Sequence, residues 1–290
     1  MQAKTTKLEI RGLQFHVQEW GDTSNPMLVL LHGWMDCGAT FEYVAKHLTD
    51  DYYVVAPDLR GFGKTQHAQG YWFPDYFADL ERILDHYSPH QPARLIGHSM
   101  GGNIVMMYAG IRSERVESVL SLEALGMAPT DTSEAVGKYR NWMREILSDE
   151  PSKVYPNIES LMRSIHKGNP TLSPEMIEAL VEHWAEPMTD ARGGYRLKHD
   201  HRHRYTNPVR YNFDEVQEVW RQITARVGLV MAQQSRLYLG LEQLGRLDQA
   251  KELLKIRDED YFLVKDCAHM LHLEQPEVTA DCIKRFFTAS

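Results

Sequence analysis

The chain has 290 residues, a formal net charge of −8 at pH 7 and 43% hydrophobic residues. That length buries a full core in one α/β domain of ordinary size, and the acidic balance argues against a nucleic-acid partner. No apolar run is long enough to span a bilayer and residues 1–7 lack the apolar core of a signal peptide, so neither a membrane partner nor export is expected.

Residues 8–10 and 13–20 read as two strands joined at Gly12, the antiparallel edge of a sheet. Residues 26–31 form a fully buried strand that runs directly into His32-Gly33-Trp34. Alternation then sets in: a strand at 52–56, a helix at 76–87, a strand at 93–96, a buried helix at 102–111 and a strand at 116–122. Such alternation implies parallel βαβ units. The rhythm is lost after Glu123 until Asp214-Glu215-Val216-Gln217, which predicts an N-cap and a capping-box glutamine. The sheet resumes with strands at 226–232 and 261–264, and a helix opened by Pro276 closes the chain. The predicted class is α/β: a mostly parallel eight-stranded sheet with helices on both faces and a helical cap inserted after the sixth strand. Residues 1–125 and 213–290 then make up the core, and 126–212 the cap.

Gly97-His98-Ser99-Met100-Gly101 sits at one of the strand-to-helix junctions. A G-x-S-x-G there is a nucleophile elbow, although the pentapeptide alone also fits a plain glycine-rich turn. The turn is so tight that the residues flanking the serine must lack bulky side chains, a demand that Gly97, Gly101 and Gly102 meet. Ser99 Oγ would then stand at a helix N-terminus, where free N–H groups favour the negative charge of acyl transfer. The matching oxyanion donors are the backbone amides of Trp34 and Met100. His269, just past the last strand and before the final helix, is the candidate general base, and the chain order Ser then His is respected.

Four segments carry a family resemblance: Leu31-His32-Gly33-Trp34, residues 57–65, residues 97–102, and Ala268-His269 with Glu274-Gln275-Pro276-Glu277. In order and spacing they resemble the α/β-hydrolase fold superfamily over nearly the whole chain. More narrowly, His32-Gly33-Trp34-Met35-Asp36, the Glu123 segment and Asn207-Pro208-Val209-Arg210 resemble its serine hydrolase-like group. In most members the triad acid follows the seventh strand, yet Gln233-Gln234-Ser235-Arg236 offers no carboxylate. A family variation places it after the sixth strand, where Glu123 is the only carboxylate at the C-terminal end. Ligands in a doubly wound sheet bind outside the carboxyl ends of the strands, so Glu123 would share an edge with Ser99. Asp248 and Asp266 compete for the role.

Within the cap, Ser173 reads as an N-cap before Pro174, and Met176, Ile177, Leu180, Val181 and Trp184 form one apolar stripe. A second cluster holds Trp142, Met143, Ile146, Leu147, Leu161, Met162 and Ile165. These residues either line a substrate pocket or form the cap's own core; the pocket candidates are His98, Trp142, Met143 and Trp184. His199, His201 and His203 would fall on one side of an extended strand and could hold a metal, but the chemistry needs none, and they are read as facing water or lining a lid hinge. Residues 239–245 are glycine-punctuated without a phosphate fingerprint and read as a loop. Three cysteines, Cys37, Cys267 and Cys282, are odd in number and far apart, which fits a reducing cytoplasm and small buried packing roles. The expected protein is a cofactor-free, metal-free cytoplasmic serine hydrolase that cleaves a small or medium uncharged ester through an acyl-enzyme. Thioester hydrolysis, carbon–carbon bond cleavage in a dienoic diketone, and a catalytically silent ligand-binding scaffold are the alternatives.

Overall fold

Five strands of almost uninterrupted apolar sequence dictate the centre of the molecule. The computed structural model describes residues 3–127, 130–189 and 193–288. Its sheet strands are β1 (Lys4–Ile10), β2 (Leu13–Trp20), β3 (Met27–Leu31), β4 (Tyr53–Pro57), β5 (Ala93–His98) and β6 (Val116–Leu122), with β9 (Arg226–Ala232) and β10 (Tyr261–Val264) after an inserted segment. That segment carries the short strands β7 (Ala185–Pro187) and β8 (Tyr195–Leu197). The helices before it are α1 (Glu42–Ala45), α2 (Phe73–Tyr87) and α3 (Met100–Ile111). Within it lie α4 (Ala135–Ser148), α5 (Ile158–Gly168) and α6 (Pro174–Trp184). After it come α7 (Phe213–Arg221), α8 (Arg236–Gln243), α9 (Arg246–Leu253), α10 (Leu271–Glu274) and α11 (Pro276–Thr288).

The eight strands run in the order β1-β2-β4-β3-β5-β6-β9-β10. Pairings from β4 to β10 are parallel, while β2 meets β1 and β4 antiparallel. The chain passes from β3 outward to β4, then crosses back to β5 on the other side of β3. The loops after β3 and β5 therefore diverge at a topological switch point, where an open α/β sheet leaves its crevice.

Side chains alternate across the sheet with period two, so each central strand feeds two cores. Val29, Leu31, Leu95 and Leu229 pack against α2, α3 and α7 on one face. Leu28, Leu30, Ile96 and Val230 pack against α1 and α11 on the other. The inserted segment leaves the sheet after Leu122 and returns at Phe213, and it is not purely helical: β7 and β8 pair as a small antiparallel sheet. Its own apolar cluster joins Leu161, Ile165, Ile177, Leu180 and Val181 to Met270 and Leu273 beneath it.

Local signals explain most element ends, with two corrections. Ser173 caps α6 by accepting the Met176 N–H at 3.2 Å, as its position before Pro174 predicts. Helix α7 is capped by Asn212, not Asp214, because the Asn212 side chain accepts from Asp214 N–H and draws Phe213 into the first turn. The stretch 239–245 is not all loop: residues 239–243 belong to α8, nucleated by the Ser235 side chain, which accepts from Tyr238 N–H at 2.9 Å.

Candidate active site

Ser99 stands between β5 and α3 with φ 51° and ψ −113°, a conformation that residues other than glycine avoid. Holding such a residue costs on the order of 1–3 kcal/mol, so its surroundings must over-determine it. They do. Its N–H donates to Leu122 O of β6 at 2.9 Å, and its carbonyl accepts Asn103 N–H at 3.1 Å. A Cβ on Gly97 would overlap the Gly101 carbonyl, and one on Gly101 would overlap the carbonyl of Leu31. The elbow thus needs glycine at both positions to let α3 close against β3 and β5.

Three side chains from distant parts of the chain meet at this edge. Ser99 Oγ–H donates to His269 Nε2 at 2.9 Å, and His269 Nδ1–H faces Glu123 Oε2 at 3.3 Å. Glu123 is fully buried, whereas His269 is half exposed. Glu123 takes φ 53° immediately after β6, which turns its side chain back across the strand ends. Its N–H donates to Val230 O at 2.8 Å, and its Oε1 accepts the Ala232 N–H at 2.6 Å. The carboxylate is therefore pinned to β9 by one oxygen while the other meets the imidazole. Asp248 and Asp266 are exposed and form no hydrogen bond to His269.

The Met100 N–H, in the first turn of α3, and the Trp34 N–H, after β3, have no acceptor among the described residues. Met100 follows Ser99 in the chain, and both residues line the same pocket as Trp34. The loop that carries His269 is itself clamped. Glu274 accepts from Ala268 N–H at 2.8 Å and from Met270 N–H at 3.2 Å, bracketing His269 on both sides. His98 Nε2–H donates to the His269 carbonyl at 2.8 Å.

Behind this loop lies a buried polar cluster that the sequence reading did not anticipate. Asp36 Oδ2 accepts from His272 Nε2–H at 3.3 Å and from Thr40 at 3.1 Å, and Oδ1 accepts from Trp184 Nε1–H at 2.8 Å. The His98 and His272 rings lie 4.4 Å apart, and Nδ1 of each is buried without a partner. Burial and the neighbouring imidazoles of His272 and His269 push His98 well below the usual histidine range. Burial acts to raise the Asp36 carboxyl, but the hydrogen bond and charge of His272 outweigh it and hold the group ionised. Asp36, His98 and His272 are the one group among the described residues close enough to share a metal ion, their ligand atoms lying within 4.8 Å of one another. The Asp36 oxygens are already engaged by three donors.

A pocket of about 850 Å³ opens over Ser99 and His269 between the strand ends and the inserted segment. Trp34, Trp72, Met107, Trp142 and Trp220 give it an apolar wall. Of the four pocket candidates only Trp142 lines it. His98 is buried on the opposite side of the elbow, Met143 projects to solvent, and Trp184 is turned away onto Asp36. Among the described residues Arg202 is the one Lys or Arg in the wall, and it is paired with Asp149 at 2.7 Å and Asp200 at 3.4 Å.

The histidine-rich stretch joins insert to core. His203 is stacked between Phe62 and Tyr71, at 3.7 and 3.6 Å between ring centroids, and its Nε2–H donates to Arg60 O at 3.1 Å. Burial pushes His203 down to about 3 and His199 to about 4, and His201 bonds Asp149.

A doubly wound sheet carrying a strained serine and a histidine at its switch point defines a hydrolase. Residues 26–276 match the family described as alpha/beta hydrolase fold, and the chain belongs to that family. It resembles the serine hydrolase-like group within it. The chain is 28% identical over 287 residues to "Serine hydrolase-like protein" of Danio rerio, covering 96% of this chain and 85% of the relative. It is 26% identical to "Serine hydrolase-like protein 2" of Homo sapiens, covering 97% and 92%. Among solved structures, the "Thioesterase Domain From Curacin Biosynthetic Pathway" superposes with a TM-score of 0.82 at 24% identity, covering 98% of this chain and all of that one, a likeness of fold.

Proposed function

We propose that this chain hydrolyses an uncharged carboxylic ester through Ser99, His269 and Glu123. The observation that carries the reading is the continuous hydrogen-bonded series from Ser99 through His269 to Glu123, at 2.9 and 3.3 Å, at the floor of an apolar pocket. Ser99 Oγ attacks the ester carbonyl as His269 Nε2 takes its proton. Glu123 holds the imidazole in the tautomer that accepts at Nε2 and stabilises the imidazolium. The Trp34 and Met100 amides donate to the developing oxyanion, and each such donor is worth on the order of 3 kcal/mol. His269 returns the proton to the leaving alcohol, and water then releases the acid from the acyl-enzyme.

Charge selects the substrate class. Arg202 is neutralised by Asp149 and Asp200, so among the described residues the wall offers no free Lys or Arg to anchor a carboxylate or phosphate. The three free, buried thiols suit a reducing cytoplasm. The missing acid after β9 does not favour a silent scaffold, because Glu123 reaches His269 from β6. A fluorophosphonate probe should label the wild type and not Ser99→Ala. Turnover of p-nitrophenyl esters should fall roughly a thousandfold or more in that variant, with the fold intact. Ser99→Ala activity near wild type would overturn the reading.

A further inference from the structure

Helix α4 turns an apolar face away from the core. None of its 14 residues is buried. Val136, Tyr139, Met143, Ile146 and Leu147 are all exposed, Leu147 at 81%. At 100° per residue these five fall within an arc of roughly 100°, with Trp142 extending it toward the pocket. Trp34, Trp72 and Met127, also exposed, stand at the same pocket. Exposed apolar side chains gathered this way mark an interaction surface, whereas scattered ones need no account.

Position and charge say what covers it. Trp34, Trp72, Met127, Trp142 and Ile146 belong both to this surface and to the pocket wall. A protein seated there would stand across the mouth through which substrate enters. A lipid surface would not, since it can supply the substrate. Although the chain carries −8 overall, α4 holds Lys138, Arg140 and Arg144 against Glu145. Lys138 is paired with Glu134 at 3.1 Å, and Glu145 is turned back onto Thr206. Among the described residues Arg144 meets only Asn141, at 3.3 Å, and Arg140 has no acidic partner. On the helical wheel both arginines lie just beyond the apolar arc, at the Leu147 side. Aliphatic and aromatic side chains flanked by uncommitted arginines suit the boundary between acyl chains and anionic headgroups.

We propose that α4 docks on an anionic lipid surface, with the pocket opening into it. The lack of a spanning segment, on which the sequence expectation of no membrane partner rests, does not bear on such a peripheral contact. The proposal rests on the ester-hydrolase reading for its purpose, but docking itself does not require Ser99. The test is co-sedimentation of the full chain with phosphatidylcholine vesicles, with and without phosphatidylserine. Wild type and Ser99→Ala should bind the mixed vesicles alike, and pure phosphatidylcholine more weakly. Val136→Ser/Leu147→Ser should lower binding about tenfold or more without changing turnover of water-soluble p-nitrophenyl acetate. Arg140→Gln/Arg144→Gln should remove the preference for phosphatidylserine. Wild type left in the supernatant with both vesicles would overturn the proposal, as would a Val136→Ser/Leu147→Ser variant that binds like wild type. A wild-type dimer that this double variant splits would instead assign the face to a second copy. Vesicle binding without fluorophosphonate labelling would keep the docking and sink the ester reading.

Discussion

Glu123→Gln separates the proposed acid from its competitors because the two carboxylate oxygens face different donors. Oε1 accepts the Ala232 N–H at 2.6 Å, while Oε2 faces His269 Nδ1 at 3.3 Å. A glutamine of the same shape keeps one oxygen. The Ala232 N–H is a fixed donor, so the amide oxygen must face it; the reverse orientation would set N–H against N–H. The amide NH2 then points at His269 Nδ1 and favours the tautomer whose proton sits on Nε2, against Ser99. That proton occupies the site that has to accept from the serine. Loss of charge adds a second penalty, since the imidazolium formed in the transition state is no longer stabilised. In a Ser-His-acid site these effects together cost up to about 10⁴ in kcat, or about 5 kcal/mol.

The expected fall in kcat is therefore roughly a hundredfold to ten-thousandfold at neutral pH, toward the upper end of that range. The assay is steady-state turnover of a p-nitrophenyl ester, with circular dichroism to show that the fold is kept. Asp266→Asn and Asp248→Asn should each change turnover by less than about tenfold, being exposed and unbonded to the base. Folded Glu123→Gln protein with kcat within tenfold of wild type would refute the assignment.

Gly101→Val should lower the melting temperature by roughly 5–10 °C and abolish turnover, because the added side chain drives into the Leu31 carbonyl; wild-type melting with full turnover would show that the elbow tolerates a side chain. His272→Leu should cost about 2–3 kcal/mol in urea denaturation, since it takes one hydrogen-bond donor from the buried Asp36 carboxylate. Asp36→Leu/His272→Leu should recover part of that loss, and a double variant no more stable than the single one would show that the pair is not coupled. Stability should also fall as pH drops. His203 and His199 are held neutral in the fold with pKa values of about 3 and about 4, against about 6.5 when unfolded. Their contribution is present above the unfolded value and is lost as pH falls from there toward 4, because the unfolded chain takes up the protons first. Each should account for about 2 kcal/mol between pH 7.5 and 5. His203→Phe, which keeps the stack on Phe62 and Tyr71, should flatten that slope in denaturation series at the two pH values.

The strands were legible because each central one is a short apolar run closed by turn residues. Ser99 was legible because its turn demands glycines at fixed offsets, and His269 because its place after the last strand is set by topology. Glu123 followed by exclusion, as the end of β9 carries no carboxylate. What brings the candidate to the base, however, is the Ala232 N–H, a backbone contact that no spacing encodes. The Asp36 cluster was out of reach for a related reason. Its three side-chain partners lie 4, 148 and 236 residues away in sequence, and the two distant ones become its neighbours only through the packing of α6 and α10 against it. Helix α8 was missed because Gly240 and Gly245 read as punctuation, whereas Ser235 supplied the cap that overrides them.

The two apolar stripes of the insert show where periodicity stops being informative. The stripe on α6 and the arc on α4 have the same helical spacing, and from sequence either could line a pocket or form a core. In the fold, Ile177, Leu180 and Val181 of α6 meet Leu161, Ile165 and Leu273, so their pattern is spent on the insert's own packing. Met143 and Leu147 of α4 meet no such partner among the described residues and are exposed. A 3.6-residue period fixes which side chains share a face, while what the face meets depends on where the rest of the chain places a second apolar surface. Burying one Leu-sized side chain is worth about 1.5–3 kcal/mol, so an unspent face of five such residues is free energy held for another surface. Lipid acyl chains would meet it at the mouth of the pocket over Ser99.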